Sequence, residues 1–202
     1  MTSWSVRCSA RRVELRTAAG LGVVWLAVAL GAGIALPFNF PYQARDEVID
    51  TAVVIVLLVP IVLAGQVLDE RPASAVRTAA RRLWAERLPW VSIFLAQSGL
   101  GALLVTALAP VPVGLVLADA LLLAAGVVLG YVALGPTLAW VPVTVVVALA
   151  STPGLVPAPV NLFYVVALLP ATWWAVTAST TLAVVCYARS GCQARWSDKP
   201  LW

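Results

Sequence analysis

Few side chains in the apolar part of this chain could do chemistry. Two carboxyl residues, Asp50 and Asp119, lie in stretches that are otherwise almost free of charge. An ionisable group within a membrane-spanning stretch usually marks a functional site, because a charge at the bilayer centre costs roughly 3 kcal/mol or more. Asp50 follows Asp46 and Glu47, so we expect it among the lipid headgroups. Asp119 lies deeper, and we expect it to be partly hydrated or hydrogen-bonded to a Ser, a Thr or Gln97 of a neighbouring helix.

Most catalytic and metal-binding chemistry lacks its residues in this chain. There is no His, which excludes His-based catalytic triads and His metal sites. The three cysteines, Cys8, Cys186 and Cys192, are too scattered to form a metal ligand set. Neither G-x-S-x-G nor G-x-x-x-x-G-K-[ST] occurs. We therefore predict that the chain is not an enzyme, binds no metal and no cofactor of its own, and does not hydrolyse ATP.

The composition is that of a membrane protein. Of 202 residues, 62% are hydrophobic and 11% are charged, and the mean hydropathy is +0.96. Soluble chains carry about a quarter of their residues as charges. The numbers predict an all-α, polytopic membrane protein in which residues 1–202 form a single transmembrane domain.

Six apolar segments are candidate membrane spans. The fifth, Leu138–Ala150, has only 13 residues, whereas a bilayer needs roughly 20. It must therefore continue through Ser151 and Pro153, or pair with a re-entrant piece. The last segment is long enough to tilt or to carry a kink at Pro170. The five longer segments are Ala18–Phe38, Val48–Leu68, Val91–Ala109, Leu115–Leu134 and Leu162–Tyr187.

The distribution of cations predicts the orientation. Twelve of the 13 Lys and Arg residues precede the first span, fill the loop after the second or follow the last, and only Arg45 falls on the other side. The positive-inside rule assigns the crowded side to the cytoplasm. Both termini are then cytoplasmic and the number of spans is even, which favours six. The Arg-rich, Ala-rich composition suggests a bacterial inner membrane.

The segment 69–89 is the longest hydrophilic stretch, and its pattern predicts a basic amphipathic helix. Asp69 and Glu70 are suited to its N-terminus, Pro72 to its first turn and Pro89 to its end. The helix either rests on anionic headgroups or docks on a cytoplasmic partner. Residues 1–17 are predicted to form a smaller interfacial segment. Residues 189–202 are predicted to form a cytoplasmic tail. The candidate partner contacts are Arg77, Arg81, Arg82, Leu83 and Trp84.

Two further patterns concern helix packing and the outer surface. Gly126 and Gly130 form a G-x-x-x-G, which predicts close packing within the chain first and dimerisation second. The connection 151–161 contains Pro153, Pro157 and Pro159 and has no regular helix pattern. It is either a Pro-rich turn followed by aromatic belt residues or an outer gate of short helical pieces.

The topology resembles the membrane subunit of an ABC exporter of the ABC-2 (type V) kind. Gln66-Val67-Leu68-Asp69-Glu70-Arg71 and Tyr187-Ala188-Arg189-Ser190-Gly191 are similar to how such subunits enter their cytoplasmic helix and end their last span. The resemblance implies that 69–89 is a coupling helix on a separate ATPase subunit, which would hold ATP and Mg²⁺. It also implies a second permease subunit, identical or related. The translocation-path candidates are Gln97, Asp119, Asn161, Phe163, Trp173 and Trp174.

Two functions therefore stay open at this point. One is a permease subunit that moves a hydrophobic or amphipathic compound across the inner membrane, with lipid and protein partners and no nucleic acid. The other is an accessory, scaffold or immunity-type subunit of a larger membrane complex. Nothing in the predicted spans contradicts the second function.

Reporter fusions test the predicted topology. Fusions at Arg45, Val111 and Pro157 should report an external location, and fusions at Trp84 and Trp196 a cytoplasmic one, because the cations cluster on that side. An external signal at Trp196 would make the number of spans odd and would remove the six-span topology.

Overall fold

The computed structural model describes residues 15–32, 51–69, 83–109, 111–152, 155–157, 160–163 and 169–191. Every regular element in these residues is helical. The six α-helices are α1 Leu15–Gly31, α2 Thr51–Ala64, α3 Leu83–Leu108, α4 Val113–Leu134, α5 Val141–Ser151 and α6 Leu169–Ser190, and a 3₁₀ turn, Gly65–Leu68, continues α2. The all-α expectation is confirmed for this part of the chain.

Three of the helices are long and apolar enough to cross a membrane. These stretches are Arg87–Leu108, Val113–Leu134 and Leu169–Ser190. Three further stretches of the described residues, Ala19–Gly31, Val53–Leu68 and Val141–Ser151, are apolar and shorter than 18 residues. The chain therefore has the helices of a membrane protein, whereas six spans and cytoplasmic termini stay predictions.

Helix α4 is the centre of the bundle. Of its most apolar stretch 61% is buried within the chain, compared with 33% for α3 and 17% for α6. It packs against α2, α3, α5 and α6. Small and aliphatic residues cover its whole circumference, so it can bury every face, as a helix at the centre of a bundle must.

The predicted helix end at Pro89 is wrong. Pro89 lies inside α3, which runs without interruption from Leu83 to Leu108. Proline removes one backbone hydrogen bond, but such a loss is tolerated in apolar helices where neighbouring groups compensate for it. Residues 83–89 therefore belong to the same helix as the third predicted span. The rest of the predicted amphipathic helix, residues 70–82, lies outside the described residues.

The fifth and last predicted spans have different ends from those expected. Helix α5 ends at Ser151, and Thr152 is extended, with φ −83° and ψ 118°. A residue before proline is held out of the helical region, which explains the stop and rules out helical continuation through Thr152. Helix α6 begins at Leu169, so Pro170 lies in its first turn, where proline needs no kink. Leu162 lies in a turn rather than in the helix.

The ends of α2, α3 and α6 meet at one end of the bundle. The Tyr187 hydroxyl donates to the Leu68 carbonyl at 2.8 Å and is buried. The Arg87 guanidinium donates to the Arg189 carbonyl at 3.1 Å, near the end of α6. Gly191 follows α6 with φ 68°, and a Cβ there would overlap the Arg87 guanidinium. We call these five residues the Tyr187 junction.

The G-x-x-x-G pair brings α4 into very close contact with α5 and with the connection that precedes it. A Cβ on Gly130 would overlap the Ala139 carbonyl oxygen, and one on Gly126 would lie 2.7 Å from Val143 Cγ2. The pair therefore serves packing within the chain, as expected first from the sequence. A second copy is not needed to explain these glycines.

Alanine substitution tests this contact. Gly130→Ala should lower the free energy of unfolding by about 1–3 kcal/mol, because the new methyl group meets backbone that must shift. Gly22→Ala is the matched control, since no atom lies within 4 Å of the Cβ position there, and it should leave stability unchanged or slightly raised. Thermal unfolding of the purified protein in detergent measures both. Equal midpoints for the two variants would contradict the α4–α5 contact.

Candidate functional site

An apolar groove of about 300 Å³ lies between α4 and α5. It lies beside the close contact that the glycines of α4 make with Ala139 and Val143. The lining is entirely apolar. It consists of Leu122, Leu123, Gly126, Leu129, Gly130, Ala133, Pro142, Val143, Val146 and Phe163.

The contact between α4 and α5 bears on the position of Asp119. Gly126 faces Val143, and the two helices are consecutive and antiparallel around a short connection. Asp119 lies seven residues before Gly126, and Ala150 lies seven residues after Val143. Seven residues are about two helical turns, so each residue keeps the face of its helix that makes the contact. From this register we infer that Asp119 lies near Ala150, beyond one end of the groove.

Asn161 is built into the same end of the groove. Its side chain is buried, and Nδ2 donates to the Ala150 carbonyl at 2.9 Å. That carbonyl is one of the last in α5, where no helical donor remains. The Asn161 Oδ1 accepts the Phe163 N–H at 3.3 Å. Because Phe163 lines the groove, Asn161 links the C-terminus of α5 to the groove wall.

Asp119 is fully buried, with 0% of its surface exposed. Neither carboxyl oxygen has a hydrogen-bond partner among the described residues. The expected hydrogen bond from Gln97, or from a Ser or Thr of a neighbouring helix, is therefore absent among the described residues. The Gln97 amide is already engaged: its Oε1 accepts the Trp25 indole N–H at 3.1 Å, and its Nε2 donates to Ser98 Oγ at 3.1 Å. Ser98 donates in turn to the Phe94 carbonyl at 2.9 Å.

Gln97 is a packing residue rather than a wall of the groove. It joins α3 to α1 through Trp25, whose ring lies so close to Gly101 that a Cβ there would overlap it. Gln97 and Gly101 are one turn apart on α3, so the indole lies flat on this face and bonds at its edge. This contact fixes α1 against the bundle.

The aromatic candidates of α6 are not brought to the groove. Trp174 is 77% exposed, and Trp173 is half-buried. The buried side chain in this turn is Thr172, whose hydroxyl donates to the Leu162 carbonyl at 3.1 Å. The structure thus joins Asn161 to Phe163, which lines the groove, and neither tryptophan is among the lining residues.

The candidate partner contacts are only partly described. Arg77, Arg81 and Arg82 lie outside the described residues, and Leu83 and Trp84 form the start of α3. The contacts of Arg87 and Tyr187 in the Tyr187 junction were not predicted from the sequence. Gly191 directly after an apolar helix was the available signal, since a glycine there commonly ends a helix.

No group of three or more His, Cys, Asp or Glu side chains that could hold a metal ion occurs in the part of the chain that the structure describes. Comparison with known proteins gives no match of this chain to a family model, a curated protein or a solved structure.

Alanine substitutions test the different hydrogen bonding of the two buried polar residues, Asn161 and Asp119. Asn161→Ala should lower the free energy of unfolding by about 1–3 kcal/mol, because the Ala150 carbonyl loses its donor. Asp119→Ala should cost little or stabilise the fold, because it removes a buried carboxyl without a partner. Unfolding midpoints in detergent measure both changes. A loss at Asp119 as large as that at Asn161 would contradict the assignment of Asp119 as unpartnered.

Proposed function

We propose that this chain is a membrane-spanning permease subunit of a bacterial ABC exporter. It moves a hydrophobic or amphipathic compound across the inner membrane and uses a separate ATPase subunit. The observation that supports this proposal most is the Tyr187 junction. It links the helix ends on both sides of residues 70–82, which we call the basic segment. The apolar groove supports the kind of compound.

The junction would transmit force from the basic segment into the bundle. Residues 70–82 join the end of the 3₁₀ turn at Leu68 to the start of α3 at Leu83. The first of these ends is bonded to Tyr187 of α6, and Arg87 in the second turn of α3 is bonded to the Arg189 carbonyl. A displacement of the segment therefore acts on α2, α3 and α6 together, because packed helices move as rigid bodies.

The groove is suited to an apolar compound. Its ten lining residues carry no polar side chain, so an aqueous ion or sugar would lose its hydration there without compensation. The polar atoms of Asp119 and Asn161 lie beyond one end of the groove. An amphipathic compound would match this arrangement.

The partners follow from what the chain lacks and from the resemblance. The sequence has no phosphate-binding G-x-x-x-x-G-K-[ST], so a separate ATPase would bind ATP and Mg²⁺. A second permease subunit, identical or related, would complete the translocation path. Exposed apolar side chains of the described helices, such as Leu100, Leu104 and Leu182, would contact lipid.

Charge reversal in the basic segment tests the proposal. Arg77→Glu with Arg81→Glu should reduce recovery of the ATPase with the tagged chain by more than tenfold, because two charge-assisted contacts are worth about 2 kcal/mol each. Arg195→Glu with Lys199→Glu makes the same charge change in the predicted tail and should leave recovery unchanged. Pull-down from native membranes, with the ATPase identified by mass spectrometry, measures both variants.

The same experiment separates the exporter from an accessory subunit. An accessory subunit would be recovered with a larger membrane complex and no ATPase. Full ATPase recovery and stimulation in the Arg77→Glu, Arg81→Glu variant would contradict docking through this segment and remove the coupling role.

A further inference from the structure

We propose that the groove between α4 and α5 binds compounds with an apolar body and one protonated amine, the amine directed toward Asp119. The binding itself depends only on the described site. That the bound compound is cargo rests on the proposed function, which this inference deepens by naming the substrate class.

The groove is the binding site for the apolar body of the compound. Its volume of about 300 Å³ lies at the lower end of the range for small-molecule sites, about 300–1,000 Å³. Gly126 and Gly130 are among its lining residues, beside the positions where Val143 and Ala139 pack against α4. A small alkyl or aromatic body fits a site of this volume.

Asp119 lies one helical turn beyond the groove. Leu122 and Leu123 line the groove, and they follow Asp119 by three and four residues, the spacing of neighbours on one helix face. Phe163 lines the groove from the other side, and its N–H is bonded to Asn161. Both buried polar side chains therefore mark the same end of an otherwise apolar site.

The chemistry of that end selects the head group. The Asp119 carboxyl has no hydrogen-bond partner in the described chain. Burying such a group among apolar side chains costs free energy. A protonated amine supplies up to three donors and the opposite charge. An alcohol supplies one donor and no charge, and an anionic head would be repelled. The amine is therefore the head group that gains most.

Access to Asp119 requires a local rearrangement. The carboxyl is fully enclosed, so the amine reaches it only when a side chain at this end of the groove, Leu123 or Phe163, changes rotamer. Such changes are common when ligands bind and need no movement of the helices.

Photo-crosslinking of the full chain in lipid nanodiscs, without an ATPase, tests the site. The probe is a decylamine with a diazirine in its alkyl chain, and the comparison is the chain-matched diazirine decanol. Mass spectrometry should find the amine on Leu122–Ala133 and Pro142–Val146, saturable and displaced by decylamine. Asp119→Asn, which keeps the shape of the side chain, should weaken apparent binding of the amine about tenfold or more.

A second pair of variants keeps Asp119 intact. Val146 and Val145 are each 50% exposed, so a larger side chain at either position leaves the core packing undisturbed, and only Val146 lines the groove. Val146→Phe should fill the groove and reduce amine labelling, whereas Val145→Phe should not. A normal unfolding midpoint confirms that each variant is folded.

Two results would overturn the inference. One is equal, unsaturable labelling by the amine and the alcohol, and the other is unchanged amine binding in both Asp119→Asn and Val146→Phe. Neither result changes the expected recovery of the ATPase, so the proposed exporter function would stand even without amine binding at this site. Conversely, saturable amine binding by a chain that recovers no ATPase would support the amine site and contradict the exporter function.

Discussion

The close approach of α4 and α5 is the constraint on which the candidate site depends. Gly130 lets the Ala139 carbonyl lie against the α4 backbone, and Gly126 admits the Val143 side chain about one turn further along. Because this contact fixes the register, it also decides which α4 residue faces the end of α5. That residue is Asp119. A methyl group at Gly130 would push the two helices apart and open the groove along its length.

Helix α6 connects the two ends of the bundle. Near its start, the Thr172 hydroxyl holds the Leu162 carbonyl beside the turn that carries Asn161 and Phe163. Near its end, the Tyr187 hydroxyl holds the Leu68 carbonyl, where the basic segment begins. Between these points α6 packs along α4, beginning with Leu169 against Gly114. A shift of α6 at the Tyr187 junction would therefore reach the polar end of the groove through one rigid helix.

The apolar periodicity of the sequence predicted much of this fold and little of the site. The predicted span 115–134 agrees with α4 to within two residues, and the G-x-x-x-G pair packs within the chain as expected. Both features depend on local composition. Pro89 did not end a helix, because tertiary packing overrides local propensity. Gln97 was expected beside Asp119, but Trp25, distant in sequence, occupies its amide oxygen. Partners from remote segments leave no pattern in a single sequence, and neither does the register of α4 against α5.

A crosslink between Asp119 and Ala150 tests the central claim, that this face of α4 meets the end of α5, most directly. In a chain with its three cysteines replaced, Cys at positions 119 and 150 should be joined by a short bis-thiol reagent in native membranes. Cys at 118 and 150 is the matched control, since Ala118 is equally buried but its side chain points about 100° away around the helix. The account predicts efficient crosslinking of the 119–150 pair and little of the 118–150 pair. Equal or reversed efficiencies would contradict it.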